Sequence, residues 1–424
     1  MLSLKYIKNN LDLVKLKTRN QNTDIDFDKL YSLDLERRRL ISISDNLKSK
    51  RNLISKKISL MKKNNEDPSE LLKNIKNNSS SIKEFDDSIR STNKKIENLL
   101  LYIPNLYHDS VPVGNNEKHN LLVKSWGELK KFDFNPKDHL TIGNDLDLFD
   151  FNRAAKMSGA GFPLYTGLGA KLERSLIQFM LDVHTENHGY FELFPPFLTN
   201  RIATQTTGQL PKFEGDMYHI KSDDLFCIST AEVPVTNMHK DEILNESELP
   251  KKYVAYSACF RREAGSYGKD TRGLLRVHQF NKVEMVKFSH PDNSYDELES
   301  LRKNAEYILK LLKIPYRVIN LCSGDLSFSA AKCYDIEIWA PGTKKWLEVS
   351  SCSNFESFQA RRGNIKFRRS DTGKLDFVHT LNGSGLATPR LVAAILENYQ
   401  NNDCSVDIPD VLKSYMKRDK ITID

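Results

Sequence analysis

The 424-residue sequence contains only six cysteines, at 227, 259, 322, 333, 352 and 404, with no CxxC pair among them. That spacing excludes a zinc-binding cysteine cluster and argues against a disulfide framework, so a reducing, cytoplasmic setting is expected. No apolar run approaches the ~20 residues of a membrane-spanning helix. The first ten residues, MLSLKYIKNN, carry polar groups where a secretory leader would place its apolar stretch. The glycines near 159–169 and 383–385 lack the strand-to-helix context of a dinucleotide-binding loop. His184 and His188 stand four apart on an expected helix, but Thr185 occupies the place where the zinc-protease pattern requires Glu. Both read as ordinary helix histidines, and Cys259, Cys322 and Cys333 read as core. With 39% hydrophobic and 28% charged residues, what is present is a globular composition long enough for two domains.

The formal net charge of +7 is unevenly placed: residues 1–110 hold 22 Lys and Arg against 15 Asp and Glu, which is the whole excess. A basic helical segment attracts polyanions, nucleic acid above all, and a solvated helix surface would carry the same excess. The same segment is periodic. Leu33, Leu40, Leu47, Ile54 and Met61 recur every seven residues, interleaved with Leu30, Arg37, Ser44, Arg51 and Ile58. After a break at 64–70, the steps of three and four resume through Leu71, Ile75, Asn78, Ile82, Phe85, Ile89, Thr92, Ile96, Leu99 and Ile103. Each set forms one stripe on a helix, so an antiparallel coiled-coil hairpin is expected, turned at Asp67, Pro68 and Ser69. Long stems at Arg37 and Arg51 can snorkel out of such a seam.

Pro104, Pro112 and Gly114 end the pattern, and 104–120 reads as a linker. Beyond it the expected class is α+β: helices near 169–188, 291–312 and 388–400, and strands near 253–260, 274–288, 332–340 and 345–351. Few of these alternate as βαβ units, so a mainly antiparallel sheet flanked by helices is expected.

The most informative stretch is 259–288, CFRREAGSYGKDTRGLLRVHQFNKVEMVKF. Its ends read as strands and its glycine-rich middle as a loop. Side chains two apart share a strand face, so Arg276, His278, Phe280, Lys282 and Glu284 align on one side, as do Arg261 and Glu263 on the other strand. Arginines, carboxylates and an aromatic ring on one open face suit a nucleotide, and a solvated face with cross-strand ion pairs would look the same. His278 reads as a structural partner rather than an acid or base.

The order of the motifs separates those alternatives. FRREAGSYGKDTRGLLRVHQFNKVE resembles motif 2 of the seryl-tRNA synthetases of bacterial type, a family of class II aminoacyl-tRNA synthetases. FPPFL (194–198) with TGQLPKF (207–213) resembles the motif 1 region, and STAEVPVT (229–236) the serine-binding loop. WLEVSSCSNFESFQARR (346–362) resembles the metal- and ATP-binding strand, and LNGSGLATPRLVAAILENYQ (381–400) motif 3. The likeness spans essentially the whole chain. It implies a tRNA-binding helical arm at 1–103, a linker at 104–120 and a catalytic, dimer-forming core at 121–424. It also implies ligation of L-serine to tRNA(Ser) by a cytoplasmic homodimer using ATP and Mg²⁺, with tRNA(Sec) open as a second acceptor.

Residue by residue, the resemblance assigns Arg261 to the α-phosphate and substrate carboxylate, Glu263 to the adenine and Phe280 to stacking on it. Arg276 and Arg390 fall to the terminal phosphates, completing with Arg261 the catalytic set, and Arg262 joins the ATP contacts. Glu348 and Ser351 are assigned to Mg²⁺, with Val349 and Ser350 in the same ATP-contacting segment. Because Glu348 and Ser351 have opposite strand parity, joint metal contact requires a bend or a strand end. Thr230, Ala231, Glu232, Glu284 and Ser384 are assigned to the serine pocket, Glu284 reading the hydroxyl. Pro389 suits the first turn of a helix leading into Arg390.

Overall fold

Eight of the extended segments join into one sheet: β1 (Leu121–Trp126), β2 (Phe191–Leu193), β3 (Lys251–Phe260), β4 (Gln279–Ser289), β5 (Tyr316–Asn320), β6 (Lys332–Ala340), β7 (Lys345–Asn354) and β8 (His379–Ala387). Their order is β1-β5-β6-β7-β8-β4-β3-β2, antiparallel at every step except β2–β3. The computed structural model describes residues 1–263 and 272–423, so most of the loop expected in the middle of 259–288 lies outside the described residues. No helix among the described residues is long and apolar enough to cross a membrane.

The chain separates into two compact units, one of residues 2–11 and 23–103, the other of residue 1, 12–22 and 104–424. In the smaller unit, helices α1 (Phe27–Lys63) and α2 (Ser69–Leu100) form the expected hairpin. Thirty-seven residues make α1 about 55 Å long. Every heptad position named above on α1 is buried or half-buried, while Leu35, Leu53 and Leu60 off the stripe are exposed. The buried Ser44 hydroxyl donates across the seam to Asp86 Oδ1 of α2 at 2.8 Å, and Lys48 Nζ reaches the same oxygen at 2.9 Å. At the turn, Asp67 Oδ1 accepts from the Ser69 amide at 3.0 Å, the expected local side-chain turn.

In the larger unit, α3 (Gly167–Glu186), α4 (Ser294–Leu311) and α5 (Thr388–Tyr399) pack on the sheet. Leu172, Leu176 and Phe179 of α3, Leu298 and Leu301 of α4, and Leu391 and Ile395 of α5 share one core with Val283 and Met285 of β4. The alternate residues of β4 face the other way. Val286 and Phe288 pack there against Ala231, Ala360 and Phe367, whereas Phe280, Lys282 and Glu284 line an open cleft. One strand face is thus half core and half site.

Three boundaries differ from the sequence reading. The expected linker is integral to the larger unit: Asn105 Nδ2 donates to the Phe355 carbonyl at 2.8 Å, and the His108 amide to that of Ala331 at 2.8 Å. Residues 12–22 belong there as well. The strand expected from 274 begins only at Gln279, so Arg276 and His278 precede it.

Candidate active site

Register builds the site. Glu284 of β4 pairs with Ser384 of β8, and Phe280 with Cys259 of β3, one residue before the end of that strand. Arg261 follows directly, its guanidinium 5.2 Å from the centre of the Phe280 ring. The surrounding cleft, about 640 Å³, is lined by Arg261, Glu263, Arg276, Phe280, Lys282 and Glu284 from this hairpin. Thr230 and Glu232 line it from the 229–232 turn, Glu348 through Ser351 from β7, and Ser384 and Arg390 from β8 and α5.

Two assigned residues stand elsewhere. Arg262 is exposed and donates to the Gly215 carbonyl at 3.3 Å, outside the cleft lining. Ala231 turns its methyl into the core beside Val235 and Val286, leaving only its main chain for a ligand. Glu263 does line the cleft, though not by strand alternation: β3 has ended at Phe260, and Glu263 sits at φ +51° with an ion pair to Arg276. His278 leaves the cleft face entirely. Its Nδ1 lies 3.0 Å from the Arg261 carbonyl and its ring stacks on Phe162, a structural role.

The return of the hairpin into β4 is held from two sides. Arg390 Nε donates to the Leu275 carbonyl at 3.0 Å. His139 Nε2 accepts from the Leu274 amide at 3.3 Å, while His139 Nδ1 is 3.0 Å from Glu397 of α5. That hydrogen bond fixes the tautomer, because Glu397 as carboxylate can only accept. Arg390 Nη1 also donates to the Glu348 carbonyl at 2.9 Å and stands 3.7 Å from its carboxylate.

The parity conflict between Glu348 and Ser351 is removed by a β-bulge. On β6, Glu337 pairs with Glu348, Ile336 with Ser350 and Asp335 with Ser351. Val349 is the extra residue, so Glu348 and Ser351, three apart in sequence, oppose residues two apart and share a face. Ser351 Oγ donates to Asp335 Oδ1 at 2.5 Å. Burial and the Glu348 charge push the Asp335 carboxyl up. A carboxylate and a hydroxyl on one face, open to the cleft, are hard oxygen donors of the kind Mg²⁺ takes when substrate phosphates complete its shell.

Two buried carboxyl groups meet at the inner end. Glu284 is 1% exposed and has Lys282 Nζ at 2.7 Å, Asn382 Nδ2 at 3.0 Å and Ser384 Oγ at 3.4 Å. Glu232 has no cation within ion-pair distance among the described residues, and its Oε1 accepts from Gln359 Nε2 at 2.6 Å. Burial and the Glu284 charge raise the Glu232 carboxyl to about 7, against the Gln359 hydrogen bond and the Lys282 and Arg261 charges. Lys282, Asn382 and Gln359 were given no role from sequence. Of these, Lys282 carried a signal, a lysine two residues from Glu284 on the strand face it shares with Phe280.

His184 lies on α3, whereas His188 stands just past the helix end rather than on the expected helix. Neither belongs to a group of three or more His, Cys, Asp or Glu among the described residues that could hold a metal ion. His184 Nε2 lies 2.9 Å from the Gly385 carbonyl of β8 and its Nδ1 2.9 Å from His188 Nδ1; burial depresses them to about 3 and about 4. A Cβ at Gly385 would lie 2.4 Å from that ring nitrogen, so only glycine fits.

Comparison with known proteins matches residues 1–107 to the seryl-tRNA synthetase N-terminal domain and residues 213–399 to the tRNA synthetase class II core domain (G, H, P, S and T). A serine–tRNA ligase of Caldicellulosiruptor saccharolyticus is 56% identical over 421 residues, 99% of this chain and 100% of the relative. That of Chloroherpeton thalassium is 54% identical, covering 98% and 99%. The crystal structure of seryl-tRNA synthetase from Pyrococcus horikoshii complexed with ATP superposes with a TM-score of 0.91 at 38% identity, over 100% of both chains.

Proposed function

The chain belongs to the seryl-tRNA synthetase family, and from that premise we propose which of its residues carry each part of the reaction. The reaction is ATP-dependent ligation of serine to tRNA(Ser). A serine carboxylate oxygen attacks the α-phosphorus and pyrophosphate leaves, giving seryl-adenylate. A terminal ribose hydroxyl of the tRNA then attacks the acyl carbon, AMP leaves with the bonding pair, and the hydroxyl proton passes to solvent.

The first step needs no general base, because the attacking carboxylate is already a nucleophile. It needs alignment and charge neutralisation. Arg261 meets both the carboxylate and the α-phosphate, Phe280 stacks on the adenine, and Glu263 accepts from its amino group. Arg276 and Arg390 take the terminal phosphates, and the bulged Val349–Ser350 backbone lies along the nucleotide. Glu348 and Ser351 are the residues that would hold Mg²⁺. When bound, the ion supplies charge neutralisation at the phosphates. Arg262 is left out of this set, since its side chain is engaged outside the cleft.

Serine is read by two unlike carboxylates. Glu284, already neutralised by Lys282, accepts from the substrate hydroxyl beside Ser384. Glu232 is buried with no cation within ion-pair distance among the described residues, and a buried charge calls for a counter-charge. The serine ammonium supplies it, next to Thr230 and the Ala231 main chain. The observation that carries this reading is the union in one cleft of three arginines with two buried acids, one paired with a cation and one not among the described residues. It is tested by ATP–pyrophosphate exchange across the amino acids: serine should support exchange, while alanine and threonine should not.

The basic hairpin is the part of the chain suited to the tRNA backbone, and transfer assays with tRNA(Ser) and tRNA(Sec) decide the range of acceptors. Phe191 on the edge strand β2 and the adjoining Phe194, 66% and 78% exposed, supply an apolar surface that a second copy would cover in a homodimer. The enzyme works in the cytoplasm, where its tRNA and ATP are found.

A further inference from the structure

Gln359, in the short helix Phe358–Gly363, is wholly buried and outside the cleft lining, yet its amide touches the cleft acid that lacks a cation. Its Nε2 donates to Glu232 Oε1 at 2.6 Å and to the Thr207 carbonyl at 3.2 Å, and its Oε1 accepts from Thr380 Oγ1 at 2.7 Å. The orientation of the amide is forced. Flipped, it would set its oxygen against a carboxylate and a carbonyl, both acceptors. Thr380 is 1% exposed and Thr207 wholly buried, so both bonds are shielded from bulk solvent. With Oε1 of Glu232 occupied from behind, Oε2 accepts no hydrogen bond among the described residues and is the oxygen left for a ligand.

We propose that Gln359 is a positioning residue of the serine subsite: it holds Glu232 Oε1 so that Oε2 faces the substrate ammonium, and it favours the charged carboxylate. This rests on the reading that Glu232 receives that ammonium. The groups facing Glu232 are Glu284 and Lys282 from β4, Arg261 from the end of β3, and Gln359 itself. Glu284 opposes ionisation, the two cations favour it, and Gln359 is the hydrogen-bond donor among them. Removing Gln359 therefore raises the Glu232 carboxyl further and frees its rotamer. Both changes weaken the grip on an ammonium and leave the nucleotide end untouched.

The test is pyrophosphate exchange by the full-length enzyme across a pH series, with KM measured separately for serine and for ATP. Gln359→Met should raise the serine KM by ~10-fold or more, the scale of one hydrogen bond to a charged group, with the ATP KM changed by less than about threefold. Its serine deficit relative to the parent should grow on acidification toward about pH 6, because the variant loses its carboxylate first. Gln359→Glu should show the opposite trend. Once protonated, the new carboxyl can donate to Glu232, so its deficit should shrink on acidification. An unchanged serine KM in Gln359→Met, an equal rise of both KM values, or the same pH trend in both variants would overturn the proposal. If Gln359→Met does not fold by circular dichroism, Thr380→Val decides, by a serine-selective KM rise or its absence. Glu232→Gln separates the premise from the proposal. An unchanged serine KM there sinks the subsite reading itself, whereas a raised one beside an unaffected Gln359→Met sinks only the role of Gln359.

Discussion

A buried carboxylate is tolerable when something compensates its charge, and the two acids at the inner end of the cleft are compensated differently. Glu284 has a lysine at 2.7 Å and so stands ready as a hydrogen-bond acceptor. Replacing it with alanine removes the proposed polar partner of the serine hydroxyl while keeping the arginines. A site built to bond a hydroxyl rejects its deoxy analogue by roughly 10⁴-fold. Glu284→Ala should collapse the serine-over-alanine ratio in exchange toward unity, and an intact ratio would place hydroxyl recognition elsewhere. Glu232 is the pH-sensitive member, its carboxyl raised to about 7. Serine affinity should accordingly rise with pH through about 7 and level off. Below that value, binding should release a proton, seen by calorimetry in buffers of different ionisation enthalpy. Without substrate, the same shift makes stability fall as pH rises from the ordinary glutamate value of about 4.3 to about 7. Over that window the unfolded chain sheds a proton that the folded chain retains.

At the scale of elements, the bulge at Val349 sets the pair proposed to hold Mg²⁺ on one face, where simple alternation would place its members on opposite faces. Inserting one residue between Ile336 and Glu337 of β6, opposite Val349, should restore unbroken pairing and put Glu348 off the face that Ser351 keeps. Exchange should then fall by roughly 10²-fold or more, with circular dichroism unchanged and a higher Mg²⁺ requirement for the residue. Exchange at the parental level would show that Glu348 is not needed on that face. The conflict was legible in the sequence, but its resolution was not, because a bulge is defined by a partner strand that periodicity does not identify. The helical hairpin was legible almost in full, since a seven-residue repeat names its own packing face. Strand alternation likewise located Phe280, Lys282 and Glu284. It failed at His278, while Arg276 and Glu263 reach the cleft from beyond the strand ends, where loop geometry replaces the two-residue period. Gln359 was out of reach for a different reason: its partners Thr207, Glu232 and Thr380 come from three distant segments that only the fold unites.

At the scale of the molecule, charge and chemistry are segregated. The net basic excess lies within residues 1–110, and every group proposed to touch ATP or serine lies beyond residue 229. Removing roughly 28–103 should therefore spare serine activation and abolish most transfer to tRNA. In the intact chain, tRNA affinity should fall by about 0.7–0.9 log units per contacted phosphate for each log unit of salt. Loss of activation together with transfer would mean that the hairpin also supports the cleft. The central claim, that this one cleft activates serine, bears most heavily on Arg261, which stands over Phe280 in the cleft and is proposed to meet both reacting groups. Serine-dependent ATP–pyrophosphate exchange by full-length Arg261→Ala tests it most directly. Exchange should drop by at least ~10³-fold while the protein remains folded, and exchange within a few-fold of the parent would contradict the assignment of the site.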